Sequence, residues 1–304
     1  MLTNFNSLFD LMDAFPNEQA CINHLRAIRW RDGEFCPHCG DNRIYHFSDR
    51  KTFKCGSCRE RFSIKVGTVF EDTKLPLRKW FMAIWMITNH PKGIASTTLA
   101  KDLKITQKSA WFVLHRLRHA ARTNSFNAPL KGTIESDSTY IGGKEKNRHV
   151  SKRRKGTQGG ADKEILLGVI ENGGELRVVH AADRKMTTAQ SIIRENVEKG
   201  SVLVTDEGTE FKGLTGDYEH IRVNHSKGEY VNADGFHTNT IEGVWALLKR
   251  QIVGIHHWVS PKHMQKYADE MSWRFNRRDM KVTERMNDLF CCVEGRLKYK
   301  TLIA

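Results

Sequence analysis

The sequence predicts an α/β protein in which a larger mixed domain follows a small cysteine-rich module and a helical module. Three observations carry this prediction. Four of the seven cysteines form two Cys-x-x-Cys pairs within residues 35–66. Residues 67–124 place apolar side chains at helical spacing, whereas residues 125–304 alternate strand-like and helix-like segments. A chain of 304 residues also exceeds the usual size of a single hydrophobic core, so several domains are expected.

The charge of the chain indicates a polyanionic partner. Lysine and arginine number 49 against 35 acidic residues, a net charge of +14. An excess of this size favours nucleic acid over a membrane as the partner. The longest apolar run, Trp80 to Ile87, has eight residues, far fewer than the ~20 that span a bilayer. We therefore expect a cytoplasmic protein with no membrane partner, and no secretory signal is visible.

Residues 1–34 are predicted to be a helical lead-in. Apolar side chains recur at helical spacing on both sides of the Pro16-Asn17 step. Asn17 is a suitable N-cap for the second helix of this segment because its side chain can accept a backbone N–H.

The paired cysteines of residues 35–66 predict a zinc ribbon. The four residues are Cys36, Cys39, Cys55 and Cys58. Thiolates at this double Cys-x-x-Cys spacing can surround one tetrahedral Zn²⁺ ion. Gly40 and Gly56 are expected to supply the backbone freedom of the two tight turns. His38 is a competing ligand, and four unrelated buried or redox cysteines are the alternative interpretation.

Residues 67–124 are predicted to contain a helix-turn-helix. One short helix would bury Leu99 and Leu103, and a second helix, N-capped by Thr106, would begin at Gln107 and Lys108. Those two residues face outward at the position where base edges are usually contacted. Arg116 would add a phosphate contact. An ordinary helical hairpin remains the alternative, since the turn contains no glycine.

The order of elements in residues 125–304 predicts an RNase H-like domain. A β-branched strand that carries Asp137 near its end is followed by a hairpin around residues 171–174 and by a helix. A short apolar strand then ends at Asp206, and after another strand a helix begins near Glu242. Three strands, a helix, two strands and a helix follow one another in an RNase H-like core.

Three carboxylates of this domain are predicted to converge on a metal site. Asp137 and Asp206 lie on two strands, and Glu242 lies at the start of a helix that would pack on them. Carboxylate oxygens are the ligands that Mg²⁺ prefers, and two such ions support in-line displacement at phosphorus. Lys249 follows Glu242 by seven residues and shares its helical face. Glu135, on the same face of its strand as Asp137, is a rival for the first acid.

The combination of the zinc ribbon, the helix-turn-helix and the three acidic motifs resembles a family. The motifs are DSTYIGGKEK, VTDEGTEF and HTNTIEGVWALLKR. Together they resemble DDE-type bacterial insertion-sequence transposases, in the group that has an N-terminal zinc ribbon and is related to Merlin elements. Nearly the whole chain takes part in this resemblance. Ser138 departs from the family pattern, which often has a second acid there.

The resemblance implies cleavage at the ends of a mobile element and attack of the freed 3′-OH on target DNA. Asp137, Asp206 and Glu242 would then be the catalytic acids that bind Mg²⁺ or Mn²⁺, with Lys249 as the accompanying basic residue. The implied partner is double-stranded DNA, both terminal repeats and target, bound by a homodimer or a higher assembly at the nucleoid. Asn239 is a rival to Glu242, because some members have asparagine or histidine as the third residue. The alternative role for Asn239 is as the N-cap of this helix.

A basic run between the first two strands of the predicted domain offers a second DNA contact. Residues 144–155 contain seven Lys/Arg and one Glu, and Arg153 and Arg154 lie within this run. Beside a site that cuts phosphodiesters, these arginines are expected to contact the DNA backbone, although a solvated loop is the ordinary alternative. For the whole chain, a DNA-binding regulator without catalysis and a junction-type nuclease are the competing functions.

Overall fold

A computed structural model of the chain describes residues 4–122, 128–143, 149, 151, 163–224, 231 and 234–303. The chain divides into two compact units. One comprises Met1–Ser125 together with Arg277–Ala304, and the other comprises Phe126–Asn276.

The described residues form ten α-helices and eight β-strands. Up to residue 122 the elements are α1 (Leu8–Ala14), α2 (Glu18–Arg29), β1 (Ile44–His46), β2 (Thr52–Cys55), β3 (Arg61–Ser63), α3 (Leu77–Asn89), α4 (Ser96–Leu103) and α5 (Gln107–Arg122). The later elements are β4 (Thr133–Ile141), β5 (Glu164–Glu171), β6 (Leu176–Ala181), α6 (Met186–Asn196), β7 (Val202–Thr205), β8 (Glu219–Arg222), α7 (Asn239–Gln251), α8 (Met264–Asn276), α9 (Val282–Cys291) and α10 (Tyr299–Ile303). None of these helices combines the length and the apolar character that crossing a membrane requires.

The first unit combines a three-stranded antiparallel sheet with helices packed on an aromatic core. Strands β1, β2 and β3 pair in sequence order, as a zinc ribbon requires. The predicted N-cap of α2 is confirmed, since Asn17 Oδ1 accepts the backbone N–H of Ala20 at 3.0 Å. In the core, the ring of Phe81 on α3 lies 4.8 Å from Phe15 and 4.5 Å from Phe290, measured between centroids.

Phe290 belongs to α9, so the end of the chain completes the first unit. The sequence pattern placed all of residues 125–304 in one domain, whereas the structure assigns Arg277–Ala304 to the unit that contains the zinc ribbon. The physical reason is burial of aromatic surface, because Phe290 is 1% exposed where it packs on Phe81.

The second unit has an RNase H-like sheet in the order β6-β5-β4-β7-β8. Strands β4, β5 and β6 are antiparallel neighbours, while β7 and β8 run parallel to β4. Helices cover both faces of the sheet. On one face Leu167 and Val169 pack with α6, and on the other Leu166 and Ile170 pack with α7 and α8. This alternation follows from the two-residue period of a strand.

Candidate functional site

Asp137 and Asp206 come to the same place in the sheet through the pairing of β4 with β7. The two strands are parallel, and their last paired residues are Ser136 and Thr205. Asp137 and Asp206 are the next residues of the two strands, so they lie side by side where the pairing ends. Asp137 is in the middle of β4 rather than near its end as predicted, because β4 continues to Ile141 in its pairing with β5.

Helix α7 carries Glu242 over the face of the sheet to which Asp137 belongs. The helix is attached to β4 by Glu135, whose Oε2 accepts the backbone N–H of Ile241 at 3.0 Å. The other carboxylate oxygen of Glu135 lies 3.4 Å from Nδ1 of His237. Glu135 is 3% exposed and acts as an anchor for the start of the helix. Glu135 is buried whereas Asp137 is half-buried, so Glu135 is the less accessible of the two to a metal ion, which disfavours it as a rival ligand.

Both oxygens of Asp137 accept hydrogen bonds from the protein. Oδ1 accepts the backbone N–H of Ser138 at 2.7 Å, and Oδ2 accepts the indole N–H of Trp245 at 2.9 Å. Trp245 follows Glu242 on α7 by three residues, so it approaches Asp137 from the same helix. The sequence analysis did not identify Trp245 as a site residue.

The three acids influence one another through their charges. The pKa of Asp137 is raised to about 6, first by burial of the carboxyl and then by the negative charge of Asp206, with a smaller contribution from Glu242. The hydrogen bonds from Ser138 and Trp245 lower the pKa and oppose this shift. Carboxylates that repel one another in this way form a site in which a cation is stabilised.

The three carboxylates are more widely spread than the cysteine cluster. Among the described residues, the four cysteines are the one group of three or more His, Cys, Asp or Glu side chains whose ligand atoms all lie within 4.8 Å of one another. Asp137 and Asp206 are half-buried, whereas Glu242 is exposed. The donor set of hard oxygen ligands fits Mg²⁺ or Mn²⁺, and its exposed side is open to a large substrate.

A buried carboxylate stabilises the turn that follows Asp206. Asp206 Oδ1 accepts the backbone N–H of Gly208 at 2.8 Å. Two residues later Glu210, which is 3% exposed, accepts two hydrogen bonds from Arg184, at 3.0 and 3.2 Å, and one from Ser138 Oγ at 3.1 Å. This network links the Asp206 turn to β4. The sequence analysis did not identify Glu210, although it is the third acid of the VTDEGTEF motif.

Asn239 and Lys249 lie at opposite ends of α7. Asn239 is the first residue of the helix and Thr238 occupies the N-cap position, with no side-chain capping bond. The suggestion that Asn239 caps the helix is therefore wrong, because Glu135 supplies the acceptor at this end. Lys249 is exposed in the last turn, as is Glu242 in the first.

The four cysteines of the first unit form one cluster. Sγ of Cys36 lies 3.7 Å from Sγ of Cys58, and Sγ of Cys39 lies 3.5 Å from Sγ of Cys55. Four sulfurs bound at about 2.3 Å to one tetrahedral zinc ion would be about 3.8 Å apart, so the cluster has the size of a ZnS₄ site. These separations greatly exceed the S–S bond length of a disulfide. His38 is exposed and lies outside this group of ligands.

The two cysteine turns share one backbone geometry but use different residues to adopt it. The N–H of Cys36 donates to the carbonyl of Asp41, and the N–H of Cys55 donates in the same way to Glu60. In the first turn the residue after the second cysteine is Gly40, at φ +79°, as expected. In the second turn the equivalent residue is Arg59, at φ +64°.

The expected role of Gly56 is therefore corrected. Its backbone N–H donates to the carbonyl oxygen of Arg43 at 2.7 Å, and an added Cβ would lie 3.1 Å from Cβ of Arg43. Gly56 permits close approach of two segments and does not provide a left-handed conformation.

Helices α4 and α5 pack together with a tight turn between them. Lys104 adopts the left-handed conformation at φ +49°, which explains how the turn forms without glycine. Thr106 Oγ1 accepts the N–H of Ser109 at 3.2 Å, which confirms Thr106 as the N-cap of α5. The exposed Gln107 donates from Nε2 to Ser96 Oγ at 2.9 Å and so connects the first turns of the two helices.

The prediction that Arg116 contacts phosphate is wrong. Arg116 is 5% exposed, and its Nη1 donates to the carbonyls of Val69 and Glu71, both at 2.8 Å. Arg116 faces inward because the segment around Val69 and Glu71 covers this side of α5 and supplies two carbonyl acceptors. Lys108 is exposed, with Nζ 5.2 Å from the ring centroid of Tyr299. Arg153 and Arg154 lie outside the described residues.

Comparisons with known proteins find similarity over both units. Residues 129–276 match the model of the ISXO2-like transposase domain of the IS1595 type, and residues 16–61 match the transposase zinc-ribbon domain of the same type. A protein described as "Uncharacterized protein in transposable element ISH50" from Halobacterium salinarum is 28% identical, over 81% of this chain and 85% of the relative.

A structural relative is the crystal structure of a pre-cleavage Mos1 transpososome. It is 13% identical and covers 75% of this chain and 82% of that chain, with a TM-score of 0.26. That degree of likeness is too low to support an inference about this chain.

Proposed function

We propose that this chain, which matches the transposase domain and the zinc ribbon of the IS1595 type, is an insertion-sequence transposase that cuts DNA at the ends of its element and joins the freed 3′-OH to target DNA. The observation that carries the proposal is the position of Asp137. Its carboxyl is half-buried beside Asp206 and faces the helix that bears Glu242, and its pKa is raised first by burial and then by both negative charges. A phosphodiester-cutting site needs such a concentration of carboxylates, because cations must be held against a phosphate.

Asp137, Asp206 and Glu242 are the residues that would hold Mg²⁺ or Mn²⁺. Two such ions would activate the attacking oxygen and stabilise the leaving oxygen during in-line displacement at phosphorus. Asp137 and Asp206 come from neighbouring strands of one sheet, which makes them the rigid part of the site. Glu242 is contributed by α7 and lies on the exposed side, where DNA approaches.

Lys249 is proposed to attract the DNA backbone beside the acids. Its side chain is exposed on α7, seven residues after Glu242, and seven residues correspond to about two helical turns. An ammonium group at this position favours a phosphate next to the carboxylates without bonding to the reacting atoms.

Recognition of double-stranded DNA is proposed to combine two kinds of contact. Gln107 and Lys108, exposed at the start of α5, would contact base edges of the terminal repeats. Arg153 and Arg154, in the basic run of residues 144–155, would contact the backbone of element and target DNA irrespective of sequence. Cleavage of two element ends is best served by a homodimer or a higher assembly on DNA.

The zinc ribbon is proposed to hold one structural Zn²⁺ ion. Four thiolates with the separations of a tetrahedral site leave no position open for a substrate, which is typical of structural zinc. The ribbon has only three short strands and little apolar surface, so metal binding would supply much of its folding free energy.

The decisive experiment is cleavage of DNA that carries the element's own ends. The full-length protein should introduce nicks that leave 3′-OH groups in the presence of Mg²⁺ and none in the presence of a chelator that spares bound zinc. Asp206→Asn should bind the same DNA with unchanged affinity and leave it intact. If the wild-type protein binds the ends but never cuts them with Mg²⁺ or Mn²⁺, the chain is a DNA-binding regulator and not an active transposase.

A further inference from the structure

The single polar group of Trp245, its indole N–H, forms a hydrogen bond with the proposed catalytic acid Asp137. The indole ring is 4% exposed, and its N–H donates to Oδ2 of Asp137 at 2.9 Å. Tryptophan has one donor and no acceptor, so a buried indole needs one partner to avoid the cost of an unmade hydrogen bond. In this protein that partner is the carboxylate.

Gly168 leaves space for the indole ring of Trp245 beside Asp137. Gly168 on β5 is the residue paired with Asp137 on β4. A Cβ added to Gly168 would lie 2.7 Å from Cη2 of Trp245 and 2.8 Å from Cδ1 of Ile241, closer than real Cβ atoms approach. Gly168 has an ordinary backbone conformation, so space for the indole is the physical reason for a glycine there.

We propose that Trp245 is a positioning residue that sets the orientation of the Asp137 carboxylate toward the metal ions. A carboxylate can rotate about its Cβ–Cγ bond, but the N–H of Ser138 at one oxygen and the indole N–H at the other define its plane. Each of the two oxygens retains a second lone pair with which it can bind a metal ion. This inference rests on the proposed function, because it takes Asp137 as a metal ligand.

The same hydrogen bond sets the spacing between two acids on different elements. Trp245 and Glu242 are three residues apart on α7, about one helical turn. A bond from Trp245 to Asp137 therefore fixes the position of Glu242 relative to β4 as well. Hydrogen-bond partners of metal ligands typically change metal affinity 10- to 100-fold when they are removed.

The test measures binding of Mn²⁺ to the full-length protein by electron paramagnetic resonance, without DNA and without turnover. Trp245→Phe retains an aromatic ring and removes the N–H, and we expect it to weaken Mn²⁺ binding about 10-fold or more. Trp273→Phe is the matched control. Trp273 is 2% exposed on α8, which packs against β6, two strands away from β4. Its replacement should leave Mn²⁺ affinity unchanged.

Two further variants separate the possible failures. Asp137→Asn should abolish high-affinity Mn²⁺ binding, and if it binds like the wild type, the proposed metal site itself is wrong. If Asp137→Asn loses binding but Trp245→Phe retains wild-type affinity, the positioning role is overturned while the metal site stands. Should Trp245→Phe not fold by circular dichroism, site-specific incorporation of an indole analogue with sulfur in place of N–H removes the donor at constant ring size. That analogue should weaken Mn²⁺ binding equally, and unchanged affinity would reject the proposal.

Discussion

Glu135 on β4 accepts the backbone N–H of Ile241 on α7 at 3.0 Å, and so a strand residue takes the place of a helix cap. The N-cap residue Thr238 makes no side-chain capping bond, so Glu135 supplies a side-chain acceptor for the first turn of α7. A carboxylate at this end is further stabilised by the helix dipole. The helix that carries Glu242 is thereby attached to the strand that carries Asp137.

Removal of this anchor is expected to destabilise the second unit. Glu135→Ala should lower the free energy of unfolding by about 1–3 kcal/mol, because it leaves a buried N–H without an acceptor. Glu135→Gln retains an acceptor oxygen and should cost less. Urea unfolding followed by circular dichroism measures both. Equal stability of the wild type and the alanine variant would show that Glu135 has no anchoring role.

Glu242, and not Asn239, is predicted to be the third catalytic acid. Glu242→Gln should abolish strand cleavage with folding and DNA binding intact, since a neutral amide binds Mg²⁺ far more weakly than a carboxylate. Asn239→Ala should retain cleavage and change stability by less than about 0.5 kcal/mol, because the side chain is exposed and caps nothing. A gel assay of nicked element ends compares the two variants. Cleavage by the Glu242 variant together with inactivity of a folded Asn239 variant would reverse the assignment.

One zinc ion per chain is predicted in the cysteine cluster. Cys55→Ser should lose zinc and unfold the ribbon locally, because metal binding there contributes folding free energy. Cys291→Ser is the control, since Cys291 is exposed and lies outside the cluster. Atomic absorption of purified protein gives the stoichiometry, and a wild-type protein that contains no zinc contradicts the prediction.

The start of α5 and the basic run are predicted to bind DNA in different ways. Replacement of both Gln107 and Lys108 by alanine should weaken binding to element ends more than binding to random DNA. Replacement of both Arg153 and Arg154 by alanine should weaken both equally and reduce the salt dependence. Fluorescence anisotropy at several salt concentrations separates the two effects. Equal losses on both DNAs for the α5 variant would mean that α4 and α5 are an ordinary helical hairpin.

Acidic pH is predicted to destabilise the second unit through His220. Burial first, and then the charge of Arg222, lowers the pKa of His220 to about 4. In the unfolded chain the pKa is higher, near 6.5, so the unfolded state binds the proton more readily. The contribution of neutral His220 to stability is therefore complete above about pH 6.5 and is lost as the pH falls toward 4. His220→Gln should flatten the pH dependence of the unfolding midpoint in this range, and an unchanged slope would exclude His220 as its source.

Two acids of the candidate site could be predicted from the sequence because they lie at the boundaries of regular elements. Asp206 directly follows an apolar strand and Glu242 lies in the first turn of an amphipathic helix, so periodicity alone places them. Trp245 and Gly168 could not be found in this way. Their roles depend on contact between α7 and β5, whereas in the sequence a buried tryptophan and a strand glycine have many ordinary explanations.

Two further differences between the sequence predictions and the structure also arise from long-range packing. Arg116 lies at a position where the helical pattern indicated exposure, but its guanidinium is covered by the chain around Val69 and Glu71. Helix α9 belongs to the first unit because it packs against residues some two hundred positions earlier in the chain, such as Phe81. The local sequence pattern around Arg116 or around α9 contains no information about these distant contacts.

The chain order of the two units has a consequence for synthesis on the ribosome. Residues Phe126–Asn276 form a continuous unit, and all of it has been translated before α9 exists. The zinc-ribbon unit, which begins the chain, is completed only when Phe290 can cover Phe81. A message cut short after residue 276 would thus yield all three proposed catalytic acids in a complete second unit, joined to a zinc-ribbon unit with an open aromatic core.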